Sequence, residues 1–182
     1  MADINLTAAA RRPAEPDAKS ESRSAAEPTW DLIELLFFAY RDFVGDPDDV
    51  LAKFGFGRAH HRVLHFVNRN PGMKVAALLD ILKITKQSLG RVLKQLVDEG
   101  YIEQKEGERD RRQRLLYATP KGAELALRLA RLQTARIARA LAEMGPGAHE
   151  SARKFLTAMI DADGRDRVMR LIDRAEPARR LR

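Results

Sequence analysis

Apolar residues recur at three- and four-residue steps along most of the chain. Trp30, Ile33, Leu36, Phe37, Tyr40 and Val44 form the first such stripe and predict a helix with a broad apolar face. Gly45-Asp46-Pro47 is expected to stop it, leaving a short turn of helix from Asp48 to Phe54 before Gly55-Phe56-Gly57. A second helix is predicted from about Arg58 to Asn68, with Val63, Leu64, Phe66 and Val67 as apolar positions, closed by Asn70-Pro71-Gly72. Val75 to Leu82 reads as a short helix that turns Leu78, Leu79 and Leu82 inward. After the tight Lys83-Ile84 connection, Thr85 offers a hydroxyl as N-cap for another helix, which buries Leu89, Val92, Leu93, Leu96 and Val97. Gly100 ends that helix.

Tyr101 to Lys105 and Leu115 to Ala118 then read as two short strands joined by an arginine-rich tip. Pro120 opens a long helix whose stripe is Leu125, Leu129, Leu132, Ile137, Leu141 and Met144, and Gly145-Pro146-Gly147 closes it. Two more helical pieces, Ala148 to Ala162 and Arg165 to Ala175, are expected on either side of a break at Gly164. The fold class is mainly α with a small β-hairpin: a winged helix-turn-helix with N- and C-terminal dimerisation helices. The long stripe and the aromatics of the first helix make more apolar surface than one small winged helix can cover. A homodimer is the simplest way to cover it.

Composition narrows the partner. Lysine and arginine number 33 against 26 acids, a formal charge of +7, which favours a polyanion without requiring one. Between Lys86 and Lys94 there are basic residues and no acid. With no cysteine, disulfides, thiolate zinc sites and thiol redox switches are excluded. No apolar run approaches the roughly 18 residues of a membrane span, and the first residues lack the apolar core of a secretory signal, so a cytoplasmic protein is expected. Met1 to Pro28 is rich in Ala, Ser, Glu, Arg and Pro and reads as a flexible N-terminal arm. No Gly-rich phosphate loop, nucleophile triad or metal-hydrolase motif is present, and an enzyme is not expected. No cofactor is implied.

The chemistry points to duplex DNA. Lys86, Gln87, Ser88, Arg91 and Gln95 lie opposite Leu89, Val92 and Leu96 on the predicted Thr85–Val97 helix, with Lys94 adding charge. Glutamine can read adenine and arginine guanine through paired hydrogen bonds, and Gly90 lets the backbone come close. The bland alternative is an ordinary solvated helix face. In the tip, Arg109, Asp110, Arg111, Arg112 and Arg114 crowd four arginines around one acid, a composition suited to phosphates and the minor groove. The bland alternative there is a soluble hairpin tip. A different class of function, a winged-helix module that docks an acidic protein, is separated from DNA reading by salt-dependent, sequence-selective duplex binding.

These segments resemble the MarR family of dimeric winged-helix transcription regulators from about Thr29 to the C-terminus. The most specific part is Asp110-Arg111-Arg112, five residues, then Ala118-Thr119-Pro120-Lys121-Gly122, against a family pattern of Asp-x-Arg, a strand, then Leu-Thr-x-x-Gly. Ala118 replaces the usual leucine, and Lys83 stands where the family often has glycine. Gly55-Phe56-Gly57-Arg58-Ala59-His60-His61-Arg62-Val63-Leu64 is similar to a PetP-like branch of the family. The resemblance leaves out the arm at 1–28 and implies a MarR-type domain at 29–182. Within that domain the DNA-binding lobe would span 55–119 and the dimerisation helices 29–54 and 120–176. It also implies that Asp110 orients Arg112 into the minor groove, that Arg109, Arg111 and Arg114 meet phosphates, and that a repressor homodimer on a pseudo-palindromic operator is released by a small anionic or phenolic effector. Tyr40, Arg41, His61 and His65 are the expected effector-lining residues, beside Phe37 and Phe38. His60, His61 and His65 also raise a metal reading, since His61 and His65 are four apart on a helix. With only His149 besides, no metal is assigned, and the dimer interface or the effector cleft is the reading for these histidines.

Overall fold

The computed structural model describes residues 27–107, 110 and 113–175. Its elements run α1 (Trp30–Ala52), α2 (Arg58–Arg69), β1 (Met73–Lys74), α3 (Val75–Leu82), α4 (Lys86–Asp98), β2 (Ile102–Glu106), β3 (Arg114–Ala118), α5 (Pro120–Met144), α6 (Ala148–Ala158) and α7 (Ala162–Ala175). The sequence arm at 1–28 lies almost wholly outside the described residues. Among the described residues no helix is long and apolar enough to cross a membrane.

The core gathers around α2 and α4. Val63, Leu64 and Val67 of α2 meet Leu78 and Leu82 of α3, Leu89, Leu93 and Leu96 of α4, and Leu116 of β3. Leu125 and Leu129 of α5 close the same cluster. The upper half of the long α5 stripe therefore packs inside the chain's own lobe. Only its far end, with Ile137 and Met144, remains exposed, which narrows the surface first read as a dimer contact.

The helix boundaries follow local chemistry with three departures. Pro47 does not stop α1, which continues to Ala52. Pro47 is fully buried between Val44 and Leu51, and Asp46 is held by Arg136 of α5 at 2.9 Å. Burial of one face thus outweighs an interior proline's cost of about 3 kcal/mol. Gly164 does not break the C-terminal helices either, since it sits inside α7. The break falls at Met159–Asp161, where Arg165 donates to the carbonyls of Ala158 and Ile160 at 3.0 and 2.8 Å, satisfying the orphan acceptors that end α6. The third departure is β1, a strand of two residues. It makes the hairpin a three-stranded antiparallel sheet in the order β1-β3-β2, with Met73 opposite Leu116. Two residues are too few to show a period.

Candidate nucleic-acid interface

Helix α4 is built to present one face. Thr85 caps it, its hydroxyl accepting from the Ser88 N–H at 3.1 Å and donating to Ser88 Oγ at 2.9 Å. At the other end Tyr101 N–H bonds the Leu96 carbonyl and Gly100 N–H the Val97 carbonyl. With Gly100 at φ 75°, this is a Schellman stop. The turn before α4 is made by Lys83 at φ 51° and ψ 41°, a left-handed conformation that glycine adopts at lower cost.

Between these caps Leu89, Leu93 and Leu96 are buried, so the opposite side faces outward. Lys86, Gln87, Gly90 and Arg91 are exposed there. The remaining site residues of α4 are less free. Lys94 pairs with Asp98. Gln95 is half-buried, accepting from His60 Nε2 at 2.9 Å and donating to Glu99 Oε1 at 3.0 Å. Thr85 and Ser88 have their hydroxyls in the cap.

The wing follows at once. Strands β2 and β3 pair from Ile102↔Ala118 to Glu106↔Arg114. Gly107 closes the tip, its N–H donating to the Gln113 carbonyl at 3.0 Å. A Cβ on Gly107 would meet the Asp110 carbonyl oxygen at 2.9 Å, so a side chain there would open the turn. Asp110 is exposed and accepts from Gln113 Nε2 at 3.2 Å. Arg114 lies on β3 and bridges to Glu106 at 2.9 Å, further from the tip than the sequence reading had it. Arg109, Arg111 and Arg112 lie outside the described residues.

A second feature opens on the far side of α2, an open pocket of about 230 Å³. Tyr40, Phe43 and Val44 of α1, Arg58, His61, Arg62, His65 and Phe66 of α2, and Gln133 of α5 line it. Tyr40, His61 and His65 were expected here. Arg41 is not a lining residue: it bonds Asp42 at 2.8 Å and covers the Phe38 ring. The cationic part falls to Arg58 and Arg62, which one turn of α2 places beside the histidines. Helical spacing from His61 and His65 could have pointed to both. Arg58 also bonds Asp48 at 2.7 Å.

Burial holds His61 below the ordinary histidine value, Arg62 adding to the effect and Asp48 opposing it. Desolvation, then His61 and Arg69, push His65 down to about 4. The His65 side chain nevertheless stays exposed to solvent. Both imidazoles are thus neutral hydrogen-bonding groups at neutral pH. Among the described residues no group of three His, Cys, Asp or Glu side chains converges on a metal position.

Comparison with known proteins decides the family. A sequence profile of the MarR family matches residues 54–113. The HTH-type transcriptional regulator PetP of Rhodobacter capsulatus is 48% identical over 129 residues, 71% of this chain and 78% of that protein. The chain belongs to the MarR family. Solved MarR-family folds agree with the architecture. Streptococcus pneumoniae FabT in complex with DNA superposes with a TM-score of 0.65 at 19% identity, covering 72% of this chain and 94% of that one. A MarR-family protein of Mycobacterium tuberculosis in complex with p-aminosalicylic acid superposes at 0.52 and 22% identity, covering 70% and 97%. The protein is therefore a winged-helix transcriptional regulator and not a member of an enzyme family.

Proposed function

We propose that this MarR-family regulator acts as a homodimeric repressor that reads a pseudo-palindromic operator in double-stranded DNA and is released by a small aromatic or anionic effector. The observation that carries the reading is the outward face of α4, with Lys86, Gln87, Gly90 and Arg91 exposed beside the wing. Arg91 and Gln87 read base edges in the major groove, while Lys86, Lys94 and the helix cap at Thr85 and Ser88 meet the backbone. Asp110 and the wing arginines 109, 111, 112 and 114 engage the adjoining minor groove and phosphates. FabT's DNA complex supports this use of the fold.

The dimer is supported by apolar surface that a single chain leaves in water. Trp30 is 64% and Phe37 66% exposed on α1, and Phe155 and Leu156 of α6 are exposed together with Met159 at its C-cap. Patches of this kind mark association surfaces. The same surface supports a DNA-binding lobe over 55–119 flanked by dimerisation helices, with Leu125 and Leu129 of α5 anchoring the C-terminal one in the lobe's core. The pocket beside α2, with Arg58 and Arg62 for a carboxylate, Tyr40, His61 and His65 for hydrogen bonds, and Phe43 and Phe66 for an aromatic ring, supports an effector of the class seen in the p-aminosalicylic acid complex.

The test is selection of duplexes from genomic fragments by the purified protein, followed by titration of the enriched and a scrambled duplex at several salt concentrations. A DNA-reading dimer shows a steep salt dependence and a preference for the enriched sequence. Equal, weak binding to both overturns the proposal.

A further inference from the structure

His60 is absorbed neither by the pocket nor by the expected DNA contacts. It follows Gly57 by one turn at the start of α2, and the Gly57 N–H donates to its Nδ1 at 3.1 Å. A neutral ring that accepts at Nδ1 must carry its proton on Nε2. That nitrogen lies 2.9 Å from Gln95 Oε1, 35 residues away on α4. Gln95 passes the polarity on, its amide donating to Glu99 Oε1. The ring is clamped as well: it stacks on Phe56 with centroids 4.7 Å apart and planes 10° from parallel. Phe56 is itself buried, edge-on to Tyr101. Each atom of the imidazole that can bond is therefore used, in one orientation and one tautomer.

We propose that His60 is a positioning residue for DNA reading, a strut that fixes the rotation of α4 about its axis by holding Gln95. The inference rests on α4 being the reading helix. Hydrophobic contacts between α2 and α4 permit small rolls, whereas a directional bond from a clamped donor does not. Gln95 then acts through geometry rather than by touching bases, and it keeps Gln87 and Arg91 aimed outward. His61, Arg62 and His65 of the same helix line the pocket.

The test uses full-length protein and a duplex that the wild type enriches from a random pool. In His60→Asn the amide oxygen can replace Nδ1 in accepting from Gly57 but is too short to reach Gln95. In His60→Gln the amide can replace Nε2 and keep the Gln95 bond. The strut predicts about tenfold weaker binding for His60→Asn, recovery in His60→Gln, and melting temperatures near wild type for both. Gln95→Met should match the loss, and the double variant His60→Asn/Gln95→Met should be no weaker than either single one. In DNA-free protein, the His60 ring nitrogen shifts should report a proton on Nε2. Wild-type affinity in His60→Asn, additive losses in the double variant, a changed base preference at one position for Gln95→Met, or a proton on Nδ1 each overturns the strut. A wild-type protein that enriches no duplex sinks the DNA-reading proposal and the strut's role with it, while the nitrogen shifts still report whether the bond exists.

Discussion

Gly122 lies directly against the Tyr101 carbonyl: a Cβ on Gly122 would come within 1.9 Å of that oxygen. The contact joins the end of α4 to the start of α5. Thr119 reinforces it, its N–H donating to the Tyr101 carbonyl at 3.1 Å and its hydroxyl to the Gly100 carbonyl at 2.7 Å. The same hydroxyl accepts from the Gly122 N–H at 3.1 Å, so the Thr-x-x-Gly spacing is a helix cap and a close approach at once. Gly122→Ala forces backbone apart and should destabilise by about 3 kcal/mol. Urea denaturation followed by circular dichroism checks this, and a loss below about 1 kcal/mol would contradict the tight contact.

The left-handed turn at Lys83 predicts a gain. A side chain at φ 51° costs about 1–2 kcal/mol, partly returned by the lower chain entropy of a non-glycine residue in the unfolded state. Lys83→Gly should therefore stabilise by about 0.5–1 kcal/mol. The lost Lys83–Asp80 pair is exposed and 3.4 Å long, too weak to reverse the sign. A lowered melting temperature would show that the turn is unstrained.

Association and folding should separate cleanly by position. Ile33 and Phe37 are exposed in the single chain, so Ile33→Asp with Phe37→Asp should halve the mass seen by light scattering and leave the helical signal intact. Leu129 is fully buried in the chain's own core, so Leu129→Asp should unfold the lobe rather than dissociate it. Wild type that scatters as a monomer at micromolar concentration would remove the dimer from the proposed function.

Recognition helix and wing should fail differently. Arg91→Ala should cost about 1–3 kcal/mol on the enriched duplex and relax preference at one operator position. Arg112→Ala should weaken enriched and scrambled duplexes more evenly and flatten the salt dependence. Equal losses in all respects for both variants would mean that neither reads sequence.

Two depressed histidines give stability a direction with pH. The folded state holds His61 and His65 below their ordinary value, His65 near 4, so between about 6.5 and 4 the unfolded chain binds protons that the folded chain refuses. Their contribution is present above about 6.5 and declines as pH falls toward 4. Melting temperature across that window should drop less steeply in His65→Gln than in wild type. Parallel profiles would place the acid sensitivity elsewhere.

Much of this protein is legible in the order of its residues. Caps such as Thr85 and Thr119, stops such as Gly100 and the heptad-like apolar steps act within one turn of helix, so local sequence states them directly. The boundaries of α3 and the cap of α4 follow from such signals alone, and so does the outward set Lys86, Gln87 and Arg91. What tertiary structure decided has a different reach. Pro47 stays inside α1 because its face of the helix is buried and Arg136 of α5 holds the adjacent Asp46, and β1 exists because β3 offers a partner edge. Leu129 is core rather than interface because α5 folds back on α2. Gln95 is tied to His60 across 35 residues. Each of these depends on which distant face arrives opposite a residue, and no local pattern encodes that distance.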